Sequence, residues 1–237
     1  MTTKTKHKFD ERRIGALVKR QDTIEEPLSA DPVALLVHSA LCENSSRHAA
    51  DQALQRIRDR TVDLNEYRVC LPTEAAAILG ARTPKAIDRA ITIRRMLYDI
   101  FRRNHGLHLA HLQGANKRDI RASLEALDGA TPFIAARVAL LAYDVHVMPV
   151  DDSICAALVA AGHVDEGMPA GDVASHLERL FKGEAIRGAH LALQAWSDAE
   201  GAALSKSSKA KPKAVRATKS AASKKSAPAA GKAGKKR

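Results

Sequence analysis

At 237 residues the chain can hold one sizeable domain or two small ones around a shared core. Apolar residues make up 45% of it but aromatics only 3%, and the abundance of Ala, Leu, Val and Ile favours small-residue helix packing over a β-sandwich or barrel. The net charge of +11 lives at the C-terminus, because Ser205 to Arg237 holds twelve Lys or Arg and no acidic residue, which leaves the body close to neutral at −1.

Met1 to Lys8 is polar and basic with no apolar stretch behind it, and no segment approaches eighteen uninterrupted apolar residues. Neither a secretory signal nor a membrane span is expected, and the cytoplasm is the expected location. Residues 1–30 read as a partly ordered arm, with Ile14, Leu17 and Val18 marking a short amphipathic helix. From Asp31 the pattern turns helical: Asp31 suits an N-cap, Pro32 the first helical position, and Val33, Leu35, Leu36 and Leu41 follow. A second helix is predicted from about Ser45 to Arg58.

The stretch from Asn65 to Ala81 is less regular, with Pro72-Thr73-Glu74 opening a short helix that ends near Gly80. The clearest helix comes next. Ala90, Ile93, Leu97, Ile100 and Phe101 recur at helical spacing, Arg89, Arg94, Arg95, Arg102 and Arg103 cover the other side, and Asn104-His105-Gly106 terminates it. The arginines read either as a solvated face or as a track for phosphates. Helices are predicted at about 117–127 and 131–145, joined by three or four residues, and again near 151–161 and 184–198. Period-two strand patterning is not convincing anywhere, so the body reads as all-α.

From about Leu204 the Lys/Ala/Ser/Pro composition cannot bury enough surface to offset its ordering entropy, and this tail is expected to be disordered. Its spacing resembles the tails of linker-histone-type proteins. Lys206, Lys209, Lys211, Lys213, Arg216, Lys219, Lys224 and Lys225 are its candidate DNA contacts, a solubilising or RNA- or membrane-binding tail being the other reading. Six phosphate contacts would give a log–log salt slope of about −5 on duplex DNA.

The three cysteines, Cys42, Cys70 and Cys155, are widely and irregularly spaced with no C-x-x-C pair. A disulfide framework, a zinc site and an iron–sulfur site are all disfavoured, so no metal and no cofactor are expected.

Two segments carry chemistry. In L-E-A-L-D-G-A-T-P-F-I-A-A-R-V-A-L-L-A, residues 124–142, Leu127 ends one helix, Gly129 supplies a permissive backbone for a tight turn, and Thr131-Pro132 caps and opens the next helix. Such a hairpin aims backbone N–H groups and the positive end of a helix dipole at an anion such as a DNA phosphate, which needs no base-specific contact. An ordinary αα-hairpin has the same pattern. In V-H-V-M-P-V-D-D-S-I-C-A-A-L, residues 145–158, Asp151 and Asp152 open another helix, a position at which acids commonly serve as caps.

Hairpin and aspartate together resemble the helix-hairpin-helix, Gly/Pro-rich loop and aspartate superfamily of DNA glycosylases, in its endonuclease III-like branch. The helix K-A-I-D-R-A-I-T-I-R-R-M-L-Y-D-I-F-R-R-N-H-G, the opening L-L-V-H-S-A-L-C-E-N and the later L-E-R-L-F-K-G-E-A-I-R-G-A-H-L-A-L-Q-A-W extend the resemblance over roughly residues 31–198. It implies a two-lobed helical domain over 31–200, with a central lobe of about 45–150 and a second lobe from the flanking segments, ahead of the tail at 201–237. It implies double-stranded DNA as partner, base excision repair as process, a nucleoid-associated location and no membrane. A monomer is expected.

The family's bifunctional hairpin reads L-P-G-V-G-x-K-T-A. Phe133 stands where its Schiff-base lysine would be, so the resemblance implies no strand-cleaving lyase activity. Asp151 matches the family's aspartate, which stabilises positive charge on the sugar, and a monofunctional glycosylase needs no lysine. Gly129, Ala130, Thr131 and Phe133 are the hairpin's candidate DNA contacts, although Thr131 replaces the second hairpin glycine and Asp128 brings a negative charge. Leu41 occupies the place of a glutamine that fills the gap left by a flipped base. Aromatic candidates to stack such a base are few: Phe133, Tyr143, Tyr98 and Phe101. The iron–sulfur loop is missing. The competing reading is a catalytically inactive, non-specific or architectural duplex-binding protein.

Overall fold

A computed structural model describes residues 8–21 and 31–209 of the chain, with side chains as far as Glu200. Among the described residues the fold is all-α: α1 (Glu11–Arg20), α2 (Pro32–Cys42), α3 (Arg47–Arg60), α4 (Leu64–Val69), α5 (Pro72–Leu79), α6 (Ala86–Asn104), α7 (Lys117–Glu125), α8 (Pro132–Tyr143), α9 (Asp152–Ala160), α10 (Ala170–Leu180) and α11 (Ala185–Lys209). A short 3₁₀ turn at Ala110–Leu112 precedes α7.

Helix α2 is the axis. Asp31 caps it by accepting from the Val33 and Ala34 N–H groups, Pro32 starts it, and every residue from Leu35 to Cys42 is buried. A helix apolar on all sides must be surrounded, and α3, α6 and α8 enclose it. Helices α4 and α5 pack on α6, and α7 lies antiparallel against α8. On the other side α9 packs on α10 and α11, which in turn carries α1. The arm's described part is docked: Ile14 is fully buried, and Phe9 pairs with Val164 and stacks on His176 at 4.7 Å.

Several expectations need correction. The irregular stretch before Pro72 contains α4, capped by Asp63 and pinned by the buried Tyr67, whose hydroxyl donates to the Ala75 carbonyl at 3.2 Å. Phe101 is 37% exposed rather than core, because the Arg68 guanidinium covers its ring at 4.0 Å. Arg89 is buried rather than on the solvated face of α6. The segment from Leu177 to Trp196 is two helices, since α10 ends at Leu180 and Gly183 turns the chain with a positive φ of 59° before α11. Helix α11 also runs on past Ala199 to Lys209, so the backbone of Lys206 and Lys209 is helical rather than tail.

Candidate functional site

Four chain segments converge on one face: the α2–α3 loop, the α5–α6 turn, the α7–α8 hairpin and the N-terminus of α9. The hairpin is built against α6. Gly129 takes φ 91°, and a Cβ there would stand 3.2 Å from both the Thr92 carbonyl oxygen and the Arg95 Cβ, so the turn is open only to glycine. Ala130 N–H donates to the Leu127 carbonyl at 3.0 Å. Thr131 Oγ accepts from the Ile134 N–H at 3.2 Å, and Pro132 takes the first position of α8.

The negative charge that Asp128 adds is answered within the fold, because its carboxylate pairs with Arg95. Its N–H donates at 3.1 Å to Asp99, whose buried carboxylate also holds Arg102 and Arg103, each at 2.6 Å. Burial opposes the charge on Asp99, but these partners prevail and hold it below the usual carboxylate range.

Arg89 ties the other segments together. Its guanidinium donates to the Ala40, Leu41 and Glu43 carbonyls at the end of α2 and, at 2.9 Å, to the Pro84 carbonyl of the α5–α6 turn. A helix C-terminus leaves such carbonyls unpaired, and one planar, forked cation satisfies three of them. The loop thus fixed contains Asn44, with a left-handed φ of 51°, and its N–H donates to Asp151 Oδ2 at 2.7 Å. Asp151 Oδ1 accepts from the Ile154 N–H at 2.9 Å, capping α9. The carboxylate is only 7% exposed, and burial pushes it above its ordinary range despite those two N–H bonds. Glu43 takes a hydrogen bond from the Thr131 hydroxyl, and it too is pushed up, by burial first and by Asp151 and Asp152 beside it.

Asp151 lines a cavity of about 410 Å³ between the two halves of the fold, with Glu43, Asn44, Asp152, Phe133 and the Ala170–Glu178 side of α10 among its walls. Its charge is lopsided: Glu43, Glu125, Asp151, Asp152 and Glu178 face it against Arg121 alone, and Arg121 pairs with Glu125 at 2.7 Å. A second, open cavity of about 200 Å³ shares the Glu43–Asn44 wall and is bounded by Pro84, Lys85, Asp88 and Thr92.

Of the aromatic candidates, Phe133 lines the main cavity, with its ring buried and 6.4 Å from that of His190. Its side chain is therefore turned inward rather than toward a duplex lying on the surface. Tyr143 bonds the Leu109 carbonyl, and Tyr98 and Phe101 lie under Arg68 on the outer side of α6. Leu41 is 2% exposed and cannot fill a gap in a duplex, whereas Glu43 and Asn44 reach the face. Reading by periodicity missed Arg89, although its spacing to Ile93, Met96 and Ile100 places it on the buried face of α6.

Lys211, Lys213, Arg216, Lys219, Lys224 and Lys225 lie outside the described residues. Among the described residues no group of three or more His, Cys, Asp or Glu could hold a metal ion, and no helix is long and apolar enough to cross a membrane. Cys42, Cys70 and Cys155 are unbridged.

No protein-family profile and no curated protein sequence matches the chain. Solved structures do match it in fold. A non-covalent endonuclease III–DNA complex superposes with TM-score 0.60 at 17% identity, over 77% of this chain and 81% of that one. A thermostable thymine-DNA glycosylase gives TM-score 0.58 at 15% identity, over 79% and 86%. The 3-methyladenine DNA glycosylase MagIII of H. pylori, bound to 1,N6-ethenoadenine, gives 0.56 at 15% identity, over 83% and 96%. The chain therefore has the fold of the helix-hairpin-helix DNA glycosylases.

Proposed function

We propose that this protein binds double-stranded DNA and acts as a monofunctional DNA glycosylase, with Asp151 as its catalytic carboxylate and without lyase chemistry. The observation that carries the reading is the placement of Asp151. It is buried, fixed by two backbone N–H groups, and lines a cavity of about 410 Å³ at the joint of hairpin, α2–α3 loop and α9. A carboxylate held in a dry site stabilises positive charge developing on a sugar better than it would in water, because its partners need no reorganisation. Removing one base from the stack requires a concave site of this scale beside the duplex. Phe133 in the cavity wall offers no amine, so no Schiff base forms there.

In this reading Gly129, Ala130 and Thr131 place the duplex through its backbone, and the basic tail supplies sequence-independent affinity. The structural neighbours support DNA as partner, since several are glycosylases in complex with DNA. The lopsided charge of the cavity favours a second reading, an architectural duplex-binding protein that has kept the fold and lost the reaction.

A paired assay separates the two. Duplexes carrying single damaged or mismatched bases are scored for alkali-dependent cleavage, which reports base release, and for scission without alkali. Alkali-dependent product that disappears in Asp151→Asn with affinity retained is the expected result. No product across a broad lesion panel, with tight salt-sensitive binding, overturns the first reading in favour of the second.

A further inference from the structure

Asp151 is not the cavity's only acid, and the acids beside it are not equivalent. Both Asp151 oxygens accept backbone N–H groups, from Ile154 and Asn44, a pattern that favours the ionised form and fixes the carboxylate in place. Glu43 stands on the adjoining wall with one polar side-chain partner, the Thr131 hydroxyl. That hydroxyl already accepts the Ile134 N–H, so its proton is free to point at Glu43. A Glu43 carboxyl can take that hydrogen bond on one oxygen while its other oxygen carries a proton facing the cavity. Two carboxyl groups in unlike surroundings commonly divide the acid and ion roles.

We propose that Glu43 is the proton donor to the departing base, and that Asp151 keeps the separate task of facing the charge on the sugar. The inference rests on the glycosylase reading above. As the C1′–N bond breaks, its electron pair leaves with the base, and the Glu43 proton passes to that base. A water then bonds to C1′ and loses a proton to the Glu43 carboxylate, which restores the acid. One water is consumed and Asp151 ends as it began.

The surroundings of Glu43 set its pH behaviour. Burial, Asp151 and Asp152 favour its protonated form, while the Thr131 bond and the Arg89 guanidinium favour the ion, and the balance is an upward shift. Lys85 and Asp88 border the open cavity on its other flank, and Glu125, Arg121 and Glu178 close the far side of the main one. The donor is active below its titration, so base release should fall as pH rises through it.

The experiment measures single-turnover base release against pH on duplexes carrying uracil, which must leave as an anion or be protonated, and N7-methylguanine, which leaves neutral. Glu43→Gln keeps the shape and the Thr131 bond but cannot give up a proton. The expected result is a loss on the order of 100-fold for uracil with disappearance of the high-pH decline, and a change within about threefold for N7-methylguanine. Glu43→Asp, which retains a carboxyl, should recover part of the uracil rate together with the pH dependence. Equal losses on both substrates, or wild-type rates and pH profile in Glu43→Gln, overturn the donor role and leave the glycosylase reading standing. A wild type that releases N7-methylguanine but no uncharged base does the same. Release of no base at all by the wild type removes the reading and the proposal together.

Discussion

Arg89 organises the site without touching the cavity's catalytic acid, so Arg89→Met tests whether the site is assembled as described. The substitution removes donors from four carbonyls. Those of Glu43 and Pro84 border the open cavity and can turn to water. Those of Ala40 and Leu41 belong to residues 3% and 2% exposed and cannot. Two buried acceptors left unpaired cost about 1–3 kcal/mol each. Relief of the buried guanidinium, whose charge burial disfavours, returns part of that. A net loss of about 3 kcal/mol is expected, near the upper end for a single substitution. In urea denaturation, with a slope of about 2 kcal/mol/M, the midpoint should fall by about 1.5 M at unchanged slope. Arg89→Lys should recover at most half, because an ammonium cannot span all four acceptors. A midpoint shift below about 0.3 M for Arg89→Met would refute the reasoning.

Three further outcomes follow from the same geometry. Gly129→Ala should lower stability by about 2 kcal/mol, since the left-handed φ and the 3.2 Å approach to the Thr92 carbonyl cannot both be kept, and a thermal melt unchanged within a degree would contradict this. His190 is fully buried beside Arg137, and burial first and that guanidinium second push its titration down to about 3; the Pro149 carbonyl lies near the ring but makes no hydrogen bond of normal geometry. Its folded value lies below its unfolded one, so the unfolded chain alone binds the proton between about pH 6.5 and 3, and stability falls with pH there by up to about 1.4 kcal/mol per unit. The acid limb of a stability–pH curve should therefore be shallower in His190→Gln by up to that slope, and parallel curves would exclude His190 as a cause. Phe133→Lys should place an amine in the cavity wall near Asp151 and allow borohydride trapping of a covalent adduct on abasic DNA, which Phe133→Met should not; equal trapping by both variants would show that the amine comes from elsewhere.

What the sequence disclosed, and what it withheld, follows the range of the forces involved. The Asp31-Pro32 start, the Thr131-Pro132 start and the apolar stripe of α6 are local patterns, and each has its helix in the fold. Helix α4 was hidden because six residues carry too little periodicity; it exists through the Asp63 cap and the burial of Tyr67 against α5. Helix α10 buries only Val173 and Leu177, too sparse a stripe to stand out. Within the site, the capping role of Asp151 was legible from its neighbours in sequence. Its bond from Asn44, and the bond from Thr131 to Glu43, join segments far apart along the chain, and no local rule predicts them. Arg89 is the instructive case, because charge suggested solvent while spacing suggested the core. The unpaired carbonyls of α2 decided in favour of the core.

Under the proposed function, the body and the tail carry opposite electrostatic duties. A cavity faced by five carboxylates beside a polyanion raises the cost of bringing DNA near, and the described surface does little to offset it. Arg95 is engaged by Asp128, and Arg102 and Arg103 by Asp99, which leaves Lys85, on the α5–α6 turn, as the cation bordering the Glu43–Asn44 wall. The charge that holds DNA must then come largely from the twelve Lys and Arg beyond Leu204, a term that weakens steeply with salt. The acids, in turn, do their work only once the phosphates are held elsewhere, since they favour a cationic sugar and a protonated donor at the same time. A neutral body with a basic tail is what that separation requires: affinity that does not enter the cavity, and a cavity whose field is not cancelled by the residues that bind.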